Sequence, residues 1–154
     1  VIDPKLAQIT DDGNLRAKIA AVIDALAHHG YPDVFIAEAM RTVAQQREKV
    51  RLGYSKTMNS YHLKRGSDGL GLAADIVPRS TGWNAPKRFW LMLGWLCYKH
   101  EVGWGGVFGF NAARRAKVLD AMGRLSAAGW PDTHPDYATQ ISWDGAHAQK
   151  ANNW

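Results

Sequence analysis

The chain has 154 residues, 46% of them hydrophobic, enough apolar side chain to bury a core without disulfides or oligomerisation. Its formal net charge of +5 and pI near 9.5 favour anionic partners such as acidic cell-wall polymers, lipid headgroups or nucleic acid. The basic residues are scattered, however, with only short clusters such as Lys64-Arg65 and Arg114-Arg115, and no nucleic-acid-binding signature accompanies them. The lone Cys97 excludes an intramolecular disulfide and sits in an apolar stretch, so a packed core thiol is expected rather than a nucleophile. No apolar run approaches the roughly 18–20 residues of a membrane span. The opening residues Val1 to Lys5 do not resemble a secretory signal. One domain over residues 1–154, made in the cytoplasm and monomeric, is therefore expected.

Along the chain, Leu15, Ile19, Val22, Ile23 and Leu26 make one apolar stripe of a helix. Asp11 or Asp12 is placed to cap it, and Gly30 with Pro32 to end it. Val34 to Ala37 reads as a short buried strand, and Thr42-Val-Ala-Gln45 has capping-box spacing for a helix reaching about Leu52. Arg41 then stands at a strand-to-helix junction, where functional side chains often project. From Leu70 to Ile76 the pattern alternates, with Leu70, Leu72, Ala74 and Ile76 toward the core. The other face carries only Gly71, Ala73 and Asp75. Asn84 and Pro86 open a strongly apolar helix to about His100, and Val102 to Phe108 reads as a strand interrupted by Gly105-Gly106. Ala112 to Ala128 is expected as a helix stopped by Gly129-Trp130-Pro131, followed by a Pro/Asp/Thr-rich loop to Ile141 and a last short strand over Ala146 to Gln149. Helices and short strands mix without a βαβ rhythm, which indicates an α+β class with a small antiparallel sheet flanked by helices.

Six histidines are present. His28, His29 and His100 fall at helix C-terminal ends, where imidazole suits the dipole, and read as structural; His134, between Asp132 and Asp136, is an outside candidate. His62 and His147 differ because each lies near a carboxylate. Asp75 has only small neighbours on its strand face, which leaves room for an ion or a substrate backbone. In Trp143-Asp144-Gly-Ala-His147 the Asp-Gly pair favours a tight turn that can aim Asp144 and His147 at one point. Two His and one carboxylate around an open position are the ligand set of a catalytic zinc, with a further carboxylate left free as general base.

The segment Ser60-Tyr-His62, followed by Gly71-Leu-Ala73-Ala-Asp75, resembles the Ser-x-His…Gly-x-Ala-x-Asp motif of the zinc D-Ala-D-Ala carboxypeptidase and L-alanyl-D-glutamate endopeptidase family. Trp104-Gly105-Gly106 and Asp144-Gly-Ala-His147-Ala-Gln149 are similar to its Trp-Gly-Gly and acidic-x-x-His elements, and Arg41-Thr42 with Gln45 and Gln46 to its upstream Arg motif. The order is preserved from about Val34 to Gln149, and single-domain phage endolysins are the nearest in kind.

The resemblance implies a Hedgehog/D-Ala-D-Ala peptidase-like fold and Zn2+ held by His62, Asp75 and His147. It also implies Asp144 as general base, Arg41 on the scissile carbonyl oxygen, and Ser60 orienting a ligand or binding substrate. Trp104 and Trp143 flank the motifs and are expected to line the cleft. The implied reaction is hydrolysis of an amide in the peptidoglycan stem peptide, L-alanyl-D-glutamate endopeptidase activity being favoured over D,D-carboxypeptidase activity, with host lysis at the cell wall as the role. The chain departs from the family pattern in the inserted Lys64 to Gly69, which makes Asp68 a competitor for Asp75, and in the long 112–141 path between motifs. A noncatalytic cell-wall-binding module on the same fold and a zinc-independent nucleic-acid-binding domain are the rival readings; retention of Asp144 argues against the first.

Overall fold

The computed structural model describes residues 3–150 and 152–154; Val1 and Ile2, part of the opening segment above, and Ala151 lie outside the described residues. Among the described residues there are four α-helices, α1 (Leu15–His28), α2 (Val43–Arg51), α3 (Lys87–Lys99) and α4 (Ala112–Ala127), and a sheet of β1 (Val34–Glu38), β2 (Ala73–Pro78), β3 (Gly103–Trp104) and β4 (His147–Gln149); α1 and α3 pack on the sheet and α4 packs on α3. The strand order is β1-β2-β4-β3 and each neighbouring pair is antiparallel, so the class is α+β, as the patterning indicated.

The apolar stripe of α1 buries Leu15, Ile19, Val22 and Leu26, and α3 buries Phe89, Leu91, Met92, Leu93 and Cys97; both join Ile36, Ala74, Ile76 and Ala148 of the sheet in one core. The start of α1 differs from expectation. Asn14, in the left-handed region at φ 61°, is its N-cap and makes no side-chain cap bond. Asp12 instead accepts hydrogen bonds from the backbone and hydroxyl of Ser67. The capping box of α2 forms as predicted, Thr42 Oγ1 accepting from Gln45 N and Gln45 Oε1 from Thr42 N.

The expected strand from Val102 to Phe108 shrinks to Gly103–Trp104, because Gly105–Val107 coil into a 3-10 turn. The 130–141 loop contains a 3-10 turn over Pro135–Ala138, where Tyr137 Oη donates to Pro131 O and Lys87 Nζ to Thr139 O. With Val118, Met122 and Leu125 of α4 in the core, the 112–141 segment packs against α3. Among the described residues, no helix is long and apolar enough to cross a membrane.

The sheet register has one irregularity, and it positions the site. Ile36 pairs with Ile76 but Glu38 pairs with Asp75, so Ala37 is an extra residue in β1. Asp75 in turn pairs with His147 across β2 and β4. Glu38, Asp75 and His147 therefore form one row across three strands, and directly opposed residues project to the same face. Without the bulge, the two-residue period of a strand would turn the Glu38 side chain to the other face.

Candidate metal centre

His62, Asp75 and His147 are 2%, 5% and 4% exposed and present one ligand atom each, all within 4.8 Å of one another. His62 Nε2 lies 3.2 Å and His147 Nδ1 3.4 Å from Asp75 Oδ1. Nitrogen and oxygen ligands held at 2.0–2.1 Å around a tetrahedral ion sit about 3.3 Å apart, so these separations fit a small divalent cation. The far sides of the rings agree. His62 Nδ1 is 2.6 Å from Ala39 O and His147 Nε2 2.9 Å from Gln149 Oε1, both acceptors that take the ring N–H. The nitrogens left facing Asp75 then present lone pairs to a carboxylate. Converging lone pairs repel unless a cation lies between them, and the chemistry of this donor set therefore suits a metal ion.

A proton on a nitrogen facing Asp75 substitutes in part for such a cation, because a charged imidazole attracts the carboxylate. Burial by itself would raise the Asp75 carboxyl, but the neighbouring His62 and His147 imidazoles outweigh it and hold that group below the usual carboxylate range. Burial likewise opposes charge on His147, while Asp75 and Asp144 push its pKa up. Asp144 Oδ2 stands 3.7 Å from His147 Nδ1, on a side chain 33% exposed. Burial raises its pKa, the nearby His147 acts against that, and Asp75 adds to it. The Asp144–His147 segment closes as the Asp-Gly turn predicted, with His147 N donating to Asp144 O at 3.1 Å. The turn leaves one carboxylate at the rim and one imidazole inside.

Trp-Gly-Gly is explained by what supports this turn. Trp104 Nε1 donates to Gly145 O at 2.7 Å, in the middle of the turn. A Cβ at Gly105 would meet Asp144 O at 2.1 Å, and one at Gly106 would meet the Trp104 ring at 2.2 Å. The two glycines thus admit the turn backbone and the indole respectively. This corrects one expectation: Trp104 is 0% exposed, stacked on Trp154, and has no surface to offer a substrate. Trp143 is 81% exposed and lies against Phe108, whose ring centroid is 5.3 Å from that of His147.

Arg41 is inside the site at 9% exposure. Its Nε and Nη2 donate to the two oxygens of Glu38 at 2.6 and 2.7 Å, its Nη1 donates to Gln46 Oε1 at 2.6 Å, and Nη2 lies 3.8 Å from Asp75 Oδ2. Although burial opposes the charge, Glu38 and the carboxylates beyond hold the guanidinium pKa up. Ser60 Oγ accepts from His62 N at 3.2 Å, and Arg41 N donates to His62 O at 2.9 Å, so these residues fix the backbone at His62.

The Lys64 to Gly69 segment is tied down elsewhere. Asp68 accepts from Thr10 Oγ1, Asp11 N and Leu70 N, which removes it as a competitor for Asp75. His134 accepts from Asp136 N within the 130s loop, and His28 bonds Asp24 O in its own helix; neither joins the cluster. Burial pushes the Cys97 thiol pKa well up, in keeping with a core residue. A groove along α4, lined by residues including Phe110, Arg114, Lys117 and Thr139, shares no lining residue with the cluster. Two residues escaped the sequence reading. Glu38 is missed because strand alternation does not show a bulge. Gln149 lies in the quoted motif, and its two-residue spacing from His147 on one strand was the available signal for a shared face.

No family model matches the chain, and comparison with curated proteins returns no match. Among solved structures, the chain is similar to the L-Ala D-Glu endopeptidase ChiX of Serratia marcescens at 20% identity, covering 94% of this chain and 82% of that chain with a TM-score of 0.48. At that distance the likeness assigns no activity to this chain.

Proposed function

We propose that the chain is a zinc peptidase of bacterial peptidoglycan, hydrolysing the L-alanyl-D-glutamate bond of the stem peptide and serving a phage in host lysis. The observation that carries the proposal is the buried His62, Asp75 and His147 triad with Asp144 at its rim, built from the motif residues of the family that the sequence resembles. Residues 1–154 are taken as one catalytic domain acting as a monomer on the cell wall, its positive charge drawing it to anionic wall polymer rather than to a specific nucleic acid.

Zinc bound by the triad would supply Lewis acidity toward the scissile carbonyl and acidify a water to a pKa of about 7. Asp144 takes the proton of the attacking water on its rim-facing carboxylate and returns it to the leaving amine. Arg41 gives three of its five N–H donors to Glu38 and Gln46; the remaining two bind the carbonyl oxygen as negative charge develops there. Ser60 holds the His62 backbone. Trp143 and Phe108 form an apolar wall for the substrate beside His147.

The test pairs metal analysis with mass spectrometry of muropeptides after digestion of purified sacculi. One zinc per chain and new L-alanine C-termini are expected, and His147→Ala should lose most of the metal. Products lacking terminal D-alanine would instead identify a D,D-carboxypeptidase. Full zinc content in His147→Ala would refute the ligand set, and intact muropeptides with zinc bound would leave a binding module.

A further inference from the structure

The two imidazoles of the triad are held by different kinds of partner. His62 is braced by a main-chain carbonyl, Ala39 O, which the fold supplies whatever the side chain there. His147 is braced only where the side chain of residue 149 can accept a hydrogen bond. The two residues are separated by two on β4, so their side chains leave the same face. Gln149 is 4% exposed, and its cross-strand partners are Ala73 on β2 and Gly103 on β3. A methyl group on one side and a bare Cα on the other leave room for the amide to lie alongside His147.

We infer that Gln149 is the positioning residue of the metal centre: by accepting the Nε2 hydrogen of His147, it keeps the Nδ1 lone pair directed at the ion. An imidazole has one N–H and one lone pair when neutral, so the acceptor on one nitrogen selects the tautomer and leaves the other free to ligate. If residue 149 offered no acceptor, the proton would settle on Nδ1, where Asp75 Oδ1 at 3.4 Å and Asp144 Oδ2 at 3.7 Å both attract it. A proton there occupies the ligand position itself. Metal binding would then have to displace the proton and leave a buried Nε2–H without a partner. The inference rests on the triad being a metal site and concerns affinity rather than the reaction.

The experiment is competitive zinc titration of the full chain, with circular dichroism of the metal-free proteins and 15N NMR of the histidine rings in the zinc-loaded state. Gln149→Leu keeps the approximate volume and removes the acceptor. Zinc affinity is expected to fall roughly 10- to 100-fold while the metal-free fold is kept. Gln149→Glu preserves an acceptor and should bind zinc at least as tightly as the parent, with the ring proton of His147 on Nε2. Undiminished affinity in a folded Gln149→Leu would overturn the inference. If that variant does not fold, Gln149→Glu decides: retained affinity with the proton on Nε2 supports it, and weakened affinity overturns it. Failure of the parent itself to bind zinc would remove the metal reading and this inference together, whereas a zinc-competent parent with indifferent Gln149 variants removes the inference alone.

Discussion

Gly105→Ala is the sharpest test of how the turn carrying Asp144 and His147 is held. The added methyl would stand 2.1 Å from Asp144 O and 2.9 Å from the Cβ atoms of both Asp144 and His147, where ordinary contact begins at 3.4 Å. The obstructing atoms belong to backbone and Cβ positions, so no flexible side-chain tip can swing aside. The turn must retreat by about 1.3 Å, several times the ~0.2 Å latitude of a metal–ligand bond. Overpacking of this kind costs about 1–3 kcal/mol, which for a domain of this size lowers Tm by roughly 2–12 °C. Zinc affinity should fall by more than about 100-fold, beyond the effect of losing one outer hydrogen bond. Gly145→Ala is the control in the same turn, since its Cβ would meet Ile141 and Trp90 at 3.4 Å, an ordinary contact. Thermal melting of the metal-free proteins and competitive zinc titration read both effects. Parent-like zinc affinity in Gly105→Ala, or greater damage from Gly145→Ala, would refute the close-approach argument.

Asp144→Asn should retain zinc and fold normally while stem-peptide cleavage falls by roughly 10² to 10⁴; loss of zinc would make Asp144 a ligand. Glu38→Gln leaves the buried Arg41 charge facing a neutral partner, and a loss of about 1–3 kcal/mol is expected at pH 7 because the pair is partly exposed. The hydrogen bonds from Arg41 hold the Glu38 pKa below its ordinary value. The stabilisation is therefore present above the unfolded-state pKa near 4.3 and is lost as pH falls through the lower folded value. The Tm gap between parent and Glu38→Gln in the metal-free form should close below about pH 4, and a gap independent of pH would contradict the ion-pair account. With a net charge of +5, binding to anionic sacculi should weaken as salt rises, while cleavage of a small neutral stem peptide should change far less. Equal salt sensitivity of the two assays would dismiss surface attraction.

Features that depend on local spacing were legible along the chain. An apolar stripe at helical period specified α1, an apolar run opened by Asn84 and Pro86 specified α3, the Gly129-Trp130-Pro131 stop marked the end of α4, and the Thr42–Gln45 capping box specified the start of α2. Alternation at Ala73–Ile76 put Asp75 opposite the core side chains Ala74 and Ile76, and Asp-Gly set the turn that brings Asp144 to His147. The ordered motifs also named the three members of the buried triad. Other features depend on register and on volume between strands distant in the chain, and arise only on folding. The extra residue at Ala37 moves Glu38 into the row with Asp75 and His147, and so turns Arg41 from an isolated junction cation into one clamped beside the triad. Trp104 became a buried prop rather than a cleft wall because Gly94 and Gly106 leave space for its ring and Gly145 O takes its N–H. Hydrophobicity alone does not tell a tryptophan that stacks on a ligand from one that stacks inside the core. The imidazole nitrogen that faces Asp75 was likewise not legible, since the opposite nitrogen of each ring is engaged by Ala39 O or Gln149 Oε1, acceptors whose position exists only once the chain has folded.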